Sequence, residues 1–261
     1  MSKPPRMPVL FIGHGSPMNA VDDNPFTRTL KSIADKLPPP RAILMVSAHW
    51  MTEGTWVTGM AKPRTIHDFG GFPQKLFDVR YPAAGSPETA QAVQAIVREP
   101  NVRNDLEMWG LDHGTWSVLK HMYPNADVPV VQLSLDLSRP PEFHFKLGQQ
   151  LAKLRAEGVL IAGSGNLVHN LRVIDWKTHA PALPWAIEYD AWLKERLTQG
   201  DYSAVMNDFH KTEAGKLSVP TLDHYYPLHY VLGAAGAGDE LRFEFEEIHN
   251  ASIAMRTFTL G

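Results

Sequence analysis

The chain has 261 residues, 44% of them hydrophobic and 20% charged, with a formal net charge of -3. That is an ordinary globular composition, long enough to bury a substantial core. It offers no basic field for a phosphate backbone, so nucleic acid is not expected as a partner. Cysteine is absent, which excludes disulfides, iron–sulfur clusters and thiolate zinc sites, so any metal must be held by nitrogen and oxygen.

The start, Met1-Ser2-Lys3-Pro4-Pro5-Arg6, leads into an apolar run too short for a secretion signal, and no stretch reaches membrane-spanning length. The expectation is a cytoplasmic protein with no membrane partner. Residues 7–12 read as a first strand. A helix over 25–37 is capped by Asn24 with Pro25 at its first position, and Pro38-Pro39-Pro40 stops it. A second strand covers 41–48 and a short one 55–60. Residues 61–85 are rich in Pro and Gly and read as an ordered loop over the sheet. A helix opens at Ser86-Pro87 and runs to about Arg98, another covers 114–122, and a strand covers 129–135. A helix over 141–156 stops at Gly158, before the strand that begins at Val159. An amphipathic helix covers 184–198. A late helix over 221–233 is kinked or delimited by Pro227, and two β segments, 241–248 and 252–259, close the chain with the alternation of a half-exposed antiparallel edge. Strands alternate with helices, and no repeat or linker interrupts them. The expected architecture is α/β: one domain over residues 1–261, with a mixed, mostly parallel central sheet flanked by helices.

Three of the apolar runs lead into a histidine. Val9-Leu10-Phe11-Ile12-Gly13 meets His14, Ala42 to Ala48 meets His49, and Val159 to Gly163 leads through Ser164-Gly165-Asn166-Leu167-Val168 to His169. Ligands of open α/β sheets bind beyond the carboxyl ends of the strands. Imidazoles delivered there from three remote segments can converge on one ion, so the metal site is expected at that edge. His224, in Leu222-Asp223-His224-Tyr225, lacks this strand argument. Asp112 suits a helix cap, and His113 beside it could be an acid/base group. His67-Asp68 lies in the loop and could line a pocket or form a solvated turn. Met18 and Trp50 read as pocket walls. His121, His144, His179, His210, His229 and His249 read as structural or surface residues. Such donors suit Fe(II) or Zn(II). Iron would point to oxygen chemistry and zinc to water activation, and the residues alone do not choose.

Five motifs together carry a resemblance. They are Gly13-His14-Gly15-Ser16-Pro17, Ser47-Ala48-His49-Trp50, Thr65-Ile66-His67-Asp68-Phe69-Gly70-Gly71-Phe72-Pro73, Asp112-His113-Gly114 and Asn166-Leu167-Val168-His169-Asn170. The chain resembles, from about residue 7 to about 259, the 4,5-DOPA extradiol dioxygenase group. That group belongs to the class III extradiol ring-cleavage dioxygenases, the family of the protocatechuate 4,5-dioxygenase β subunit. The resemblance implies that His14 and His49 bind one Zn(II) or Fe(II) ion. It places His224 where the protocatechuate enzymes use glutamate, and His169 at the acid/base position, where it can also complete a four-histidine shell. His113 matches a second active-site histidine that contacts substrate or oxygen. The implied partners are a small aromatic catechol such as L-DOPA and O2, in a monomer or small homo-oligomer. A zinc hydrolase and a non-enzymatic metal-binding protein are the rival readings. Lys62, Arg64 and Arg80 are the nearest candidates to meet a substrate carboxylate.

Overall fold

A computed structural model describes residues 4–261. Met1, Ser2 and Lys3, part of the segment considered above for a secretion signal, lie outside the described residues. In chain order the strands are β1 (Val9–Gly13), β2 (Ala42–Met51), β3 (Thr55–Thr58), β4 (Val102–Asp105), β5 (Val130–Leu135), β6 (Val159–Gly165), β7 (Leu241–Phe245), β8 (Ile248–His249), β9 (Ile253–Ala254) and β10 (Thr257–Leu260). The α-helices are α1 (Pro25–Lys36), α2 (Gln74–Phe77), α3 (Pro87–Ile96), α4 (His113–Met122), α5 (Pro141–Leu151), α6 (Pro184–Gln199), α7 (Tyr202–Asn207), α8 (Glu213–Ser218) and α9 (Tyr226–Ala234).

Eight strands form one sheet in the order β4-β3-β5-β2-β6-β1-β10-β7. Its centre, β5-β2-β6-β1, is parallel; β10 and β7 continue it antiparallel at one edge, and β3 meets β5 antiparallel at the other. The central strands are apolar on both sides because both sides are covered. Phe11, Leu44, Val46, Val131 and Ile161 pack with α3, α5 and α9, whereas Leu10, Ile12, Ile43, Met45 and Leu160 pack with α1 and α4. This is the expected α/β architecture. No helix among the described residues is long and apolar enough to cross a membrane.

Local chemistry explains the boundaries. Asn24 accepts from the Thr27 amide, and Thr27 returns a bond to the Asn24 amide, so α1 starts on a reciprocal cap. Its buried face is Phe26, Leu30 and Ile33, at helical spacing. Four expectations need correction. The helix expected over 141–156 is α until Leu151 and then tightens into a 3-10 turn, Ala152–Glu157, closed by Gly158 at φ +81°. The late helix expected over 221–233 begins only at Tyr226; Pro227 delimits it, the second of the two expected outcomes, at a position where its missing amide costs nothing. The closing segments break into two strands each, around a turn at Asn250 and Ala251 with positive φ. Strand β4, which pairs with β3 in parallel, was not foreseen, since Val-Arg-Asn-Asp carries no apolar run.

Where α5 packs on α9 the core holds two buried histidines, His144 of α5 and His229 of α9. His144 Nδ1 lies 3.0 Å from the Tyr230 hydroxyl, while its Nε2 and both ring nitrogens of His229 find no partner. Burial pushes His144 down to about 4 and, with His144 nearby, His229 down to about 3. An unfolded histidine titrates near 6.5. Between these values the unfolded chain binds more protons than the native one, so stability is complete above about pH 6.5 and declines as pH falls toward 4. Urea midpoints measured from pH 7 to pH 4.5 are expected to show this decline. His229→Gln should flatten it by up to about 1.4 kcal/mol per pH unit; an unchanged slope would remove His229 from the account.

Candidate metal centre

The carboxyl ends of β1 and β6 are level, and β2 runs beside them and past them. Gly13 pairs with Gly165, Ile12 with Ser164, and Ser164 with Ser47. The chain beyond these ends is stitched together. The His14 amide donates to the Gly165 carbonyl (3.1 Å), the Asn166 amide to the His224 carbonyl (3.0 Å), and the Gly15 amide to Asn166 Oδ1 (3.2 Å). Gly15 sits at φ +61°, a conformation that favours glycine. His49 lies inside β2, not past its end: the strand continues to Met51 through a register irregularity against β5. Such a shift re-aims a side chain.

His14, His49 and His224 are brought together, each offering a ring nitrogen, with all of these atoms within 4.8 Å of one another. The facing pair, His14 Nε2 and His49 Nε2, is 3.2 Å apart. Each ring has a partner on Nδ1. Ser164 Oγ donates its one proton to the Gly114 carbonyl (2.6 Å), so it must accept from His14 Nδ1–H (2.9 Å). Asp68 Oδ2 lies 3.4 Å from His49 Nδ1, and Asp223 bonds His224 Nδ1. Carboxylates only accept, so His14 and His224 carry the proton on Nδ1 and leave Nε2 as a lone pair, while Asp68 sits close enough to His49 Nδ1 to favour the same tautomer. Oriented histidines of this kind are what metal sites use.

Burial, then repulsion among neighbouring imidazoles, holds His14 and His49 well below the usual histidine range. They are therefore neutral at pH 7, the form that ligates. Burial works against ionising Asp223, yet the His224 bond keeps its carboxyl below the ordinary range; Asp68 is held low in the same way by His113. Two nitrogens 3.2 Å apart also match the edge of a tetrahedron with metal–nitrogen bonds of about 2.0–2.1 Å. The donor set fits a divalent ion such as Zn(II) or Fe(II).

His169 lies outside that trio. Its ring stacks on His224 at 3.5 Å, 9° from parallel, and it groups with Asp223 and His224. Burial and His224 keep it well below its ordinary pKa. His113 is the first residue of α4, capped by Asp112, whose buried carboxylate also binds Ser47 and Gln132. Thus the cap and the site share one motif. The His113 amide donates to Asp68 Oδ1 (2.9 Å), and Nδ1 lies 2.9 Å from Asp68 Oδ2, an ion-pair distance approached off the N–H axis.

These side chains open into a cavity of about 540 Å³. Asp68, Phe69, Phe72 and Trp176 line it with His14, His49, His113, His169, His224 and His249. Met18 is a wall, as expected; Trp50 is not, and stacks on Trp109 in the interior. His67 does not reach the cavity, because its Nε2 is engaged by the Val79 carbonyl (3.1 Å) among Phe69, Phe77 and Trp116. Lys62, Arg64 and Arg80 do not line it either; Arg64 and Arg80 bond backbone carbonyls. A shallower groove of about 490 Å³ around Asp190, Lys194 and Arg256 holds none of the site histidines.

Gly165 sits directly beneath His224. A Cβ there would meet the His224 carbonyl oxygen at 2.2 Å, a backbone atom that must move. Gly165→Ala is expected to cost about 1–3 kcal/mol of stability. It should also weaken metal retention by about tenfold or more, read by chelator competition beside a thermal melt. Wild-type metal affinity in this variant would contradict the placement of His224.

Taken together, the fold and its site define an α/β protein with a histidine-rich centre at the carboxyl edge of a parallel sheet. Residues 8–257 match the family model of the catalytic LigB subunit of aromatic ring-opening dioxygenase. The chain is 48% identical to the 4,5-DOPA dioxygenase extradiol of Escherichia coli K12 over 98% of its own length and 95% of the relative's. It is 42% identical to the protein of the same name from Beta vulgaris, covering 92% of this chain and 90% of that one. The crystal structure of an uncharacterized protein from Escherichia coli K12 superposes with a TM-score of 0.85 at 44% identity, covering 98% of this chain and all of that one. The chain belongs to the LigB family and is an aromatic ring-opening dioxygenase.

Proposed function

We propose that this enzyme opens the ring of a catechol such as L-DOPA by extradiol cleavage at the 4,5 bond with O2, giving a yellow semialdehyde. One observation carries the reading: His14, His49 and His224 each offer a ring nitrogen within 4.8 Å of the others, in the wall of a cavity that Phe69 and Phe72 also line. The names of the Escherichia coli and Beta vulgaris relatives support it. His14, His49 and His224 hold one Fe(II) or Zn(II) ion. Bound Fe(II) supplies the electron path between catechol and O2 and keeps both reactants in place.

The protein's own residues do the rest. His169, kept neutral by burial, accepts a phenolic proton and returns one during ring opening. His113, anchored by Asp68 through its backbone and Nδ1, presents its ring to substrate or oxygen. Phe69 and Phe72 flank the aromatic ring and exclude water, with Trp176 at the cavity mouth. Residues 1–261 act as one catalytic domain, as a monomer or small homo-oligomer, and the cysteine-free composition supports a cytoplasmic setting.

The test is anaerobic reconstitution with Fe(II), addition of a catechol panel, then air. The expected result is O2 uptake matched by a yellow product with L-DOPA. A zinc hydrolase would consume no O2 under these conditions and would overturn the reading. His169→Ala should keep its metal and lose turnover by about 100-fold or more; full activity in that variant would remove the acid/base role.

A further inference from the structure

At the mouth of the cavity stands a second cluster that the ring-opening reading does not use. His179, Glu247 and His249 each offer one ligand atom, all within 4.8 Å of one another. His249 belongs to β8, is buried, and lines the cavity, whereas His179 and Glu247 are exposed and do not. The two chain segments are fastened to each other. The Asn250 amide donates to the Thr178 carbonyl (2.9 Å), its side chain to the Asp175 carbonyl (2.9 Å), and the Asp175 amide returns a bond to the Asn250 carbonyl (3.1 Å). His179, the residue after Thr178, is thereby brought beside His249, the residue before Asn250, with ring centres 5.5 Å apart.

We propose that His179, Glu247 and His249 form a second metal site, specific for a divalent transition ion of the zinc, nickel or copper class. Two imidazoles and one carboxylate suit those ions and not Mg(II) or Ca(II), which take oxygen shells. His249 Nε2 now lies 2.9 Å from Glu247 Oε2. The ion replaces that contact, as both groups turn from pairing with each other to donating to it. Bonds of about 2.0–2.2 Å need only side-chain rotation from the observed spread. Three protein ligands leave a position open at the cavity mouth. The ion ties the segment bearing Trp176, whose side chain is largely exposed at the mouth, to the turn after β8.

The probe is Zn(II) alone, added to protein already holding one equivalent of metal. Bound ion is counted after gel filtration and binding is followed by calorimetry. Wild type is expected to reach two ions per chain. His179→Ala and Glu247→Gln should each stop at one, with an unchanged melting curve before the second addition. His14→Ala should lose the catalytic ion yet still bind one Zn(II), and adding His179→Ala to it should abolish that binding. Saturation of wild type at one ion per chain overturns the proposal, as does a second ion retained in the His179→Ala, Glu247→Gln double variant.

Discussion

Alanine in place of His14, His49 or His224 is expected to strip the catalytic ion and, with it, O2-dependent catechol cleavage. The magnitude follows from the outer partners. Losing a group that merely orients a ligating histidine costs about 10–100-fold in metal affinity or activity. Losing the imidazole itself must exceed that, so each alanine variant should fall by more than about 100-fold. The partners supply a graded control. Ser164→Ala removes the acceptor that fixes the His14 tautomer, and Asp68→Asn weakens the hold on both His49 and His113. Both should land within the smaller range. Metal content by mass spectrometry and initial rates on an oxygen electrode make the comparison. An alanine variant that keeps metal and rate would show that the trio is not the ligand set.

Arg155→Ala is expected to destabilise the fold by about 3–5 kcal/mol. Arg155 is fully buried although charged. Its guanidinium donates to the carbonyls of Met7 (2.7 Å) and Ala234 (2.8 Å) and to Asp239 Oδ2 (2.5 Å). It also reaches toward the Leu260 carbonyl at 3.4 Å. One side chain thus ties the approach to β1, the end of α9 and the last strand, β10. Truncation leaves three carbonyls and a carboxylate without their donor, and Asp239 keeps only the exposed Arg6 as its cation. For a chain of this length each kcal/mol shifts the melting temperature by about 2–4 °C, so a drop of about 10 °C is expected. Arg155→Lys keeps the charge but not the fork, so it should fall between the two. Met7 precedes β1, at the end of the sheet away from the metal centre, and activity per folded molecule at low temperature should be preserved. A loss below about 1 kcal/mol would show that the charge is not needed in the core.

The apolar runs announced the central strands because β1, β2, β5 and β6 are covered on both faces, and the caps at Asn24 and Asp112 announced their helices. From those strands the carboxyl-edge placement of His14, His49 and His169 could be read. Patterning could not supply His224, which stands on a turn and joins the site only because its carbonyl accepts from Asn166 above Gly165; the family resemblance brought it in. The carboxylates were harder still. Asp68 and Asp223 act through contacts that loop packing creates, and of the pair His67-Asp68, read together as possible pocket lining, Asp68 reaches the cavity whereas His67 is structural. Ser164 is one residue in an apolar strand, and nothing local tells that its hydroxyl faces His14. His179 and His249 lie 70 positions apart in the chain, and only the hydrogen bonds between Asn250 and the 175–178 segment bring them together.

The central claim is that three imidazoles, from the ends of two parallel strands and one turn, share a single ion. X-ray absorption at the metal edge, on protein holding one equivalent of Fe(II) or Zn(II), reads that shell directly. The account predicts three histidine nitrogens at about 2.0–2.1 Å, a shell that is lost in His224→Ala and unchanged in His169→Ala. An oxygen-only shell, or one indifferent to the loss of His224, would contradict it.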